Sequence, residues 1–423
     1  MRTPLQAVEG VLHLDGVSLE ALASAAGTPA YVYSADTISA RYRELTAALA
    51  AVPHRVHYAC KANASLGILA ALRALGAGVD VVSGGELYRA QQAGFAADAI
   101  IFGGVGKSRQ ELQAAVTSQV NIITVESEAE LRDISAIAQA QGGHARIGVR
   151  VNPEVAVDSV HAYIKTGQKG DKFGVPWDEA ERVARLAHTL PAVTLVAVGM
   201  HIGSQLTNLA PLADGLQRLE SLVGRLRSAG VTTLEFLDIG GGLYVPYDDE
   251  PAADLDGYAA IVVPALQRIA LKLIVEPGRF LVAEAGVMLT RVLYRKRTGG
   301  RDVLVTDAGM SDLLRPSHYD AYHRILAARP REDQATLDVV GPICESGDFL
   351  ALNRTMEDVA AGDLLVLCTT GAYGSCMASN YNSRTRASEL LVREGQWAVI
   401  TERETYADLV RRETVTPQWR TQA

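Results

Sequence analysis

The chain has 423 residues, 48% hydrophobic and 21% charged, which fits a globular protein with a full core and room for two or three domains. A formal net charge of -8 argues against nucleic acid or an anionic membrane as the main partner. Four scattered cysteines (Cys60, Cys344, Cys368, Cys376) exclude a disulfide framework, and the absence of CxxC spacing argues against a structural zinc site, so no metal is expected.

The first ten residues show no basic segment followed by an apolar one, and no apolar run approaches the ~18 residues that span a bilayer. The expected compartment is the cytoplasm, with reduced thiols. Residues 1–30 are mixed, and Gly27-Thr28-Pro29 marks a break before Ala30-Tyr31-Val32-Tyr33. From about 38 to 285, short apolar runs alternate with longer helix-like stretches. Eight candidate strands fall at 56–60, 78–82, 99–103, 121–125, 146–151, 195–202, 235–239 and 272–275. Helices are expected between them, for example over 64–75, 109–117, 127–141 and 207–229. Alternation of this kind implies a parallel sheet, and eight repeats in about 250 residues match a (β/α)8 barrel better than an open doubly wound sheet. After about residue 286 the alternation stops. Runs such as Val303–Thr306, Leu364–Leu367 and Ala398–Thr401 predict a mainly β domain. The expected division is 1–30 joining the β domain, 31–285 as the barrel and 286–423 as the β domain.

Polar and glycine residues recur just past the strand ends, where barrel active sites assemble. The first strand ends in Tyr58-Ala59-Cys60-Lys61-Ala62-Asn63. A lysine there has little packing value, because its charge resists desolvation. It can reach solvent as an ordinary strand-end residue, or serve as a Schiff-base lysine whose pKa is lowered by its surroundings. Ser83-Gly84-Gly85-Glu86, Gly106-Lys107-Ser108, Glu126-Ser127 and Arg150-Val151-Asn152-Pro153 follow the next strands. Gly106-Lys107-Ser108 mimics the end of a P-loop, but Ile101 stands where that motif needs glycine. His201-Ile202-Gly203-Ser204 follows the sixth strand; a lone histidine is more often a satisfied core residue, although its ring can stack on a flat cofactor. Gly240-Gly241-Gly242 and Gly278 follow the seventh and eighth, the two loops that most often cradle phosphate in this fold. Glu276, ahead of Pro277, suits either a salt bridge or the carboxylate that keeps a ring nitrogen protonated.

In the β region, Gly341-Pro342-Ile343-Cys344-Glu345-Ser346-Gly347-Asp348 sets a thiol beside a carboxylate, either as a structural cysteine or as a proton donor. Arg315-Pro316-Ser317-His318-Tyr319 offers an arginine which, with Arg279, suits bidentate binding of a carboxylate. Gly371-Ala372-Tyr373-Gly374 and Asn380-Tyr381-Asn382 add tyrosines and turns.

Taken together, from Tyr31-Val32-Tyr33 to about Arg386, these motifs resemble the diaminopimelate decarboxylase family, within the alanine racemase-like (fold-type III) pyridoxal phosphate enzymes. The resemblance implies a barrel followed by a β domain and a head-to-tail homodimer with shared active sites. By position it assigns Lys61 as the cofactor lysine, His201 as the residue stacked on the ring and Glu276 as the partner of the ring nitrogen. It assigns Ser204, Gly241, Gly242, Gly278 and the backbone of Arg279 to the phosphate cradle, completed by Tyr373, with Pro277 also at the cofactor. Arg279, Arg315 and Tyr319, with Tyr373, would hold the distal carboxylate, Glu345 the distal amine, and Cys344 would donate a proton, the last two from the partner subunit. His161–Gly167, continuing to Lys172-Phe173-Gly174, matches a loop over the site. Asp171 and Leu243-Tyr244-Val245 depart slightly from the family pattern.

The implied reaction is pyridoxal 5'-phosphate-dependent decarboxylation of meso-2,6-diaminopimelate at its D-centre, giving L-lysine and CO2, with the final proton from Cys344 or Lys61. Three alternatives stand beside it: a racemase of the same fold, a decarboxylase of another diamino acid, and a non-catalytic pyridoxal phosphate-binding protein. Alanine racemases have arginine in place of Glu276, ornithine- and arginine-type decarboxylases generally have Asp after the cysteine, and the binding proteins are usually single short barrels.

Overall fold

The computed structural model describes residues 5–155, 170 and 172–420. His161–Gly167 and Asp171 therefore lie outside the described residues. The chain divides into two compact units.

The first unit spans Ser34–Gly286 together with Gly371–Cys376. Its strands are His54–Ala59, Gly78–Val81, Ile100–Phe102, Ile122–Val125, Ala145–Arg150, Val193–Gly199, Phe236–Asp238 and Lys272–Val275. Each pairs in parallel with the next, and the last closes on the first through Leu273↔His54, Ile274↔Arg55 and Val275↔Val56. The fold is thus a closed (β/α)8 barrel, as the alternation implied. Helix Arg109–Thr117 has the expected limits, and Glu128–Ala140 and Ala210–Ser228 fall within a few residues of theirs. Inside, Ile101, Ile122, Val196, Ala197, Phe236 and Ile274 form a buried apolar cluster. Barrels of this kind are filled by such side chains, so a site is expected at a mouth and not in a pore.

Some of the polar residues after the strands serve the helices. Ser83, Ser108 and Ser127 are N-caps that accept from the N–H groups of Glu86, Glu111 and Glu130, and Ser108 with Glu111 completes a capping box. Lys107 is buried. It donates to the carbonyls of Gly104 and Thr124 at 2.6 and 2.7 Å and pairs with Glu130 at 2.9 Å. Its amine is committed to holding the loop after the third strand.

Gly371–Cys376 joins the barrel through one close approach. A Cβ on Gly371 would lie 1.8 Å from the Val282 carbonyl oxygen, so only glycine lets the segment in. Gly371 N–H then donates to the Ala283 carbonyl, and Tyr373 N–H to that of Ala62. Tyr373 is held in the left-handed region at φ 57°.

The second unit comprises Leu5–Tyr33, Val287–Thr370 and the residues from Met377. A mixed sheet runs in the order Phe349–Glu357, Gln334–Val340, Arg301–Thr306, Gly286–Thr298, Ala30–Ser34, Ser388–Arg393, Gln396–Thr401. Leu364–Leu367 pairs with Gly286–Thr298 and with Ile325–Ala327. Leu12, Leu14, Leu19, Leu22 and Val32 share one buried cluster with Val287, Leu289, Val366 and Leu390. Burial of such a leucine contributes on the order of 1.5–3 kcal/mol, enough to tie the N-terminal segment into this unit's core.

Candidate active site

A cavity of about 430 Å³ opens at the carboxyl ends of the barrel strands, lined among others by Lys61, Asp80, Arg150, His201, Asp238 and Glu276. A recess of about 40 Å³ adjoins it, lined by Ser204, Gly241, Gly242, Pro277, Gly278, Arg279 and Tyr373. Lys61, His201 and Glu276 face both spaces.

Lys61 follows the first strand in a single 3-10 turn, Cys60–Ala62. Its side chain is 42% accessible, and its Nζ lies 3.2 Å from the buried Asp80 carboxylate in the second strand. The expectation of a lowered pKa is overturned. Desolvation alone pulls the value down, but Asp80, Tyr373 and Glu276 outweigh it and hold the amine above its ordinary value. A nearby anion stabilises the ammonium more than partial enclosure destabilises it.

His201 is the reverse case. Burial, with the positive charges of Arg150 and Lys61, pushes its pKa well down, so the ring is neutral. Its Nδ1 accepts from the Gly241 N–H at 3.2 Å, which places the ring proton on Nε2. Gly240, at φ 69°, lets the loop pass beneath this ring, since a Cβ there would sit 2.5 Å from Nδ1. On Gly241 a Cβ would lie 2.4 Å from the Glu276 carbonyl oxygen. Backbone therefore lines the recess at close range.

Arg279 is buried; it donates to the Tyr247 hydroxyl at 2.6 Å and to Ser204 Oγ at 3.5 Å, and lies 4.8 Å from the Tyr373 ring centroid. A guanidinium, a serine hydroxyl, a tyrosine and bare glycine backbone make a donor set suited to a phosphate. The larger cavity, with a neutral imidazole and an acid on its walls, suits a flat heterocycle. Arg150 also lines it, paired with Glu126 at 3.0 Å and 4.9 Å from the Phe173 ring centroid.

The structure thus gathers Lys61, His201, Ser204, Gly241, Gly242, Glu276, Pro277, Gly278, Arg279 and Tyr373 around two adjoining spaces. The remaining candidates belong to the second unit. Arg315 and Tyr319 share one short helix. Arg315 donates to His323 Nε2 at 2.9 Å, while His323 Nδ1 lies 2.9 Å from the Cys368 carbonyl. Cys344 and Glu345 occupy an exposed turn, where Cys344 N–H donates to Asn382 Oδ1 at 2.8 Å.

Sequence reasoning missed Asp80 altogether and gave Asp238, Arg150 and His323 no role. Asp80 did leave a signal: a lone acid inside Gly78-Val79-Asp80-Val81-Val82, a run otherwise destined for the barrel interior.

A family model for the pyridoxal binding domain of pyridoxal-dependent decarboxylases matches residues 35–283, which defines the class. The chain is 45% identical over 411 residues to the diaminopimelate decarboxylase of Pseudomonas fluorescens, covering 97% of this chain and 98% of that one. The diaminopimelate decarboxylase of Helicobacter pylori, solved in complex with L-lysine, superposes with a TM-score of 0.89 at 40% identity over 93% of this chain and 98% of that one. The enzyme from M. jannaschii, also solved with L-lysine, gives 0.92 at 34% identity over 98% of each chain. The chain belongs to the diaminopimelate decarboxylase family.

Proposed function

We propose that this chain decarboxylates meso-2,6-diaminopimelate to L-lysine and CO2 with pyridoxal 5'-phosphate. The observation that carries the proposal is Lys61 at the end of the first strand and Glu276 at the end of the eighth, lining one cavity beside a glycine-walled recess. When bound, the cofactor supplies an electrophilic carbon for amines and a sink for the electron pair left as CO2 departs.

The residues of the chain do the rest. Lys61 would hold the cofactor through its amine, and Asp80 would pair with that amine whenever it is free and protonated. Glu276 would keep the ring nitrogen protonated, and neutral His201 would lie against the ring without adding charge. Ser204, Gly241, Gly242, Pro277, Gly278, Arg279 and Tyr373 hold the phosphate. Arg279, Arg315 and Tyr319, with Tyr373, hold the distal carboxylate, and Glu345 the distal amine. Cys344 or Lys61 returns a proton to the carbon that lost CO2. Glu276 in place of a cation supports decarboxylation over racemisation, because a carboxylate strengthens the electron sink.

We further infer a cytoplasmic homodimer with shared sites; that none of the four cysteines forms a disulfide fits a reducing compartment. No helix among the described residues is long and apolar enough to cross a membrane. An assay of CO2 release from meso-diaminopimelate against lysine, ornithine and arginine tests the activity, and release from one of the others alone would overturn it. Mixing inactive Lys61→Ala and Cys344→Ala proteins tests the shared site: activity should reappear, and its absence would count against sharing.

A further inference from the structure

Two segments of the second unit carry candidate substrate groups, and one buried side chain is bonded to both. Asp348 Oδ1 accepts the Met310 N–H and its Oδ2 the Ile343 N–H, each at 2.6 Å. The Asp348 N–H donates to the Glu345 carbonyl at 3.1 Å, and its carbonyl accepts the Gly341 N–H at 3.2 Å. Asp348 therefore grips the turn on both sides of Cys344. Two glycines leave room for its carboxylate: a Cβ on Gly309 would lie 2.5 Å from Oδ1, and one on Gly341 2.5 Å from Oδ2. Two N–H donors on two oxygens call for a carboxylate, because an amide offers only one acceptor atom.

From Met310 a short bonded path leads to the helix Arg315–Tyr319. The Asp312 and Leu313 N–H groups donate to the Gly309 carbonyl at 2.9 and 3.0 Å, and the Asp312 carboxylate accepts the Gly309 N–H at 3.1 Å. The Tyr31 hydroxyl fixes the Asp312 carbonyl at 2.6 Å, and Ser311, Asp312 and Leu313 are all buried. A shift at Met310 is thus carried to Arg315, because close-packed, bonded backbone transmits displacement.

We propose that Asp348 is a positioning residue for both active sites of the dimer at once. The proposal rests on the shared-site reading above, in which Arg315 and Tyr319 serve their own barrel and Cys344 and Glu345 serve the partner's. One carboxylate then fixes the distal-carboxylate grip of one site and the proton donor of the other. It touches neither substrate nor cofactor.

Mixed dimers with a single working site separate the two roles, with a Lys61→Ala chain joined to a wild-type chain as the control. When an Asp348→Ala chain joins a Lys61→Ala chain, the working site draws Arg315 and Tyr319 from the Asp348→Ala chain. KM for meso-diaminopimelate should rise about fivefold with kcat unchanged. When one chain carries both substitutions beside a wild-type chain, the working site draws Cys344 and Glu345 from the doubly substituted chain. There kcat per bound cofactor should fall about fivefold, and lysine formed in D2O should lose its single configuration at the deuterated carbon. Constants equal to the control in both dimers overturn the proposal, and an effect in only one overturns the double role. Hydrogen exchange of the wild-type holoenzyme needs no variant: the Met310 and Ile343 amides should exchange slowly, and free-loop rates at either overturn the proposal. Failure of Lys61→Ala and Cys344→Ala chains to restore activity together would instead overturn the shared-site reading itself.

Discussion

The barrel pocket and the Cys344–Glu345 turn both present reactive side chains, and they hold them by different means. In the pocket, side chains are set by one another: Lys61 by Asp80, Arg150 by Glu126, Arg279 by Tyr247 and Ser204. Enclosure amplifies each interaction, and several of these groups have displaced pKa values. In the turn, Cys344 is exposed, and its backbone is held by tethers instead. The buried Asp348 carboxylate accepts the N–H groups of Met310 and Ile343, each at 2.6 Å, and Asn382 accepts that of Cys344. The pocket has its electrostatics built in, whereas the turn offers its groups outward.

The comparison can be broken experimentally. Lys61→Ala should lower CO2 release by roughly a thousandfold or more and abolish borohydride-fixed cofactor, read by mass spectrometry. Glu276→Gln should bind cofactor yet lose roughly 10²–10³-fold in kcat, because a neutral amide weakens the electron sink. Gly371→Ala should destabilise the barrel unit by about 1–3 kcal/mol in denaturant titration, as its Cβ collides with the Val282 carbonyl. Asn382→Ala should cost only about 1 kcal/mol and lower turnover without changing cofactor absorbance. Were it to empty the cofactor site instead, the two regions would not be independent in the way described.

The smallest effect concerns pH. The Lys61 amine is held above its ordinary value, so the stabilisation from its pair with Asp80 is complete below the unfolded lysine pKa of about 10.4. It is lost only as pH rises through the higher folded value. Asp80→Asn should therefore bring cyanate reactivity of Lys61 in the cofactor-free protein to lower pH, measured by peptide mass mapping. An unchanged profile would show that Asp80 does not hold the amine.

Much was legible in the one-dimensional pattern. Alternation of short apolar runs with helical stretches predicted eight strands, and Lys61, His201, Gly240–Gly242 and Glu276 stood out because each is a poor packing choice at a strand end. Strand-end chemistry was nevertheless over-read. Ser83, Ser108, Ser127 and Lys107 are caps and struts, and a polar residue there looks the same in sequence whether it faces a helix end or a cavity.

What the sequence determined by itself was local and periodic: where strands and helices lie, and which residue types sit at the barrel's mouth. Only the tertiary structure decided which carboxylate meets which amine. Asp80 lies 19 residues from Lys61 and Asp238 lies 38 residues from Glu276, at the ends of strands that pair as neighbours in the barrel sheet. Protonation depends on the distance between charges and on lost hydration, and neither quantity exists until the chain has closed on itself.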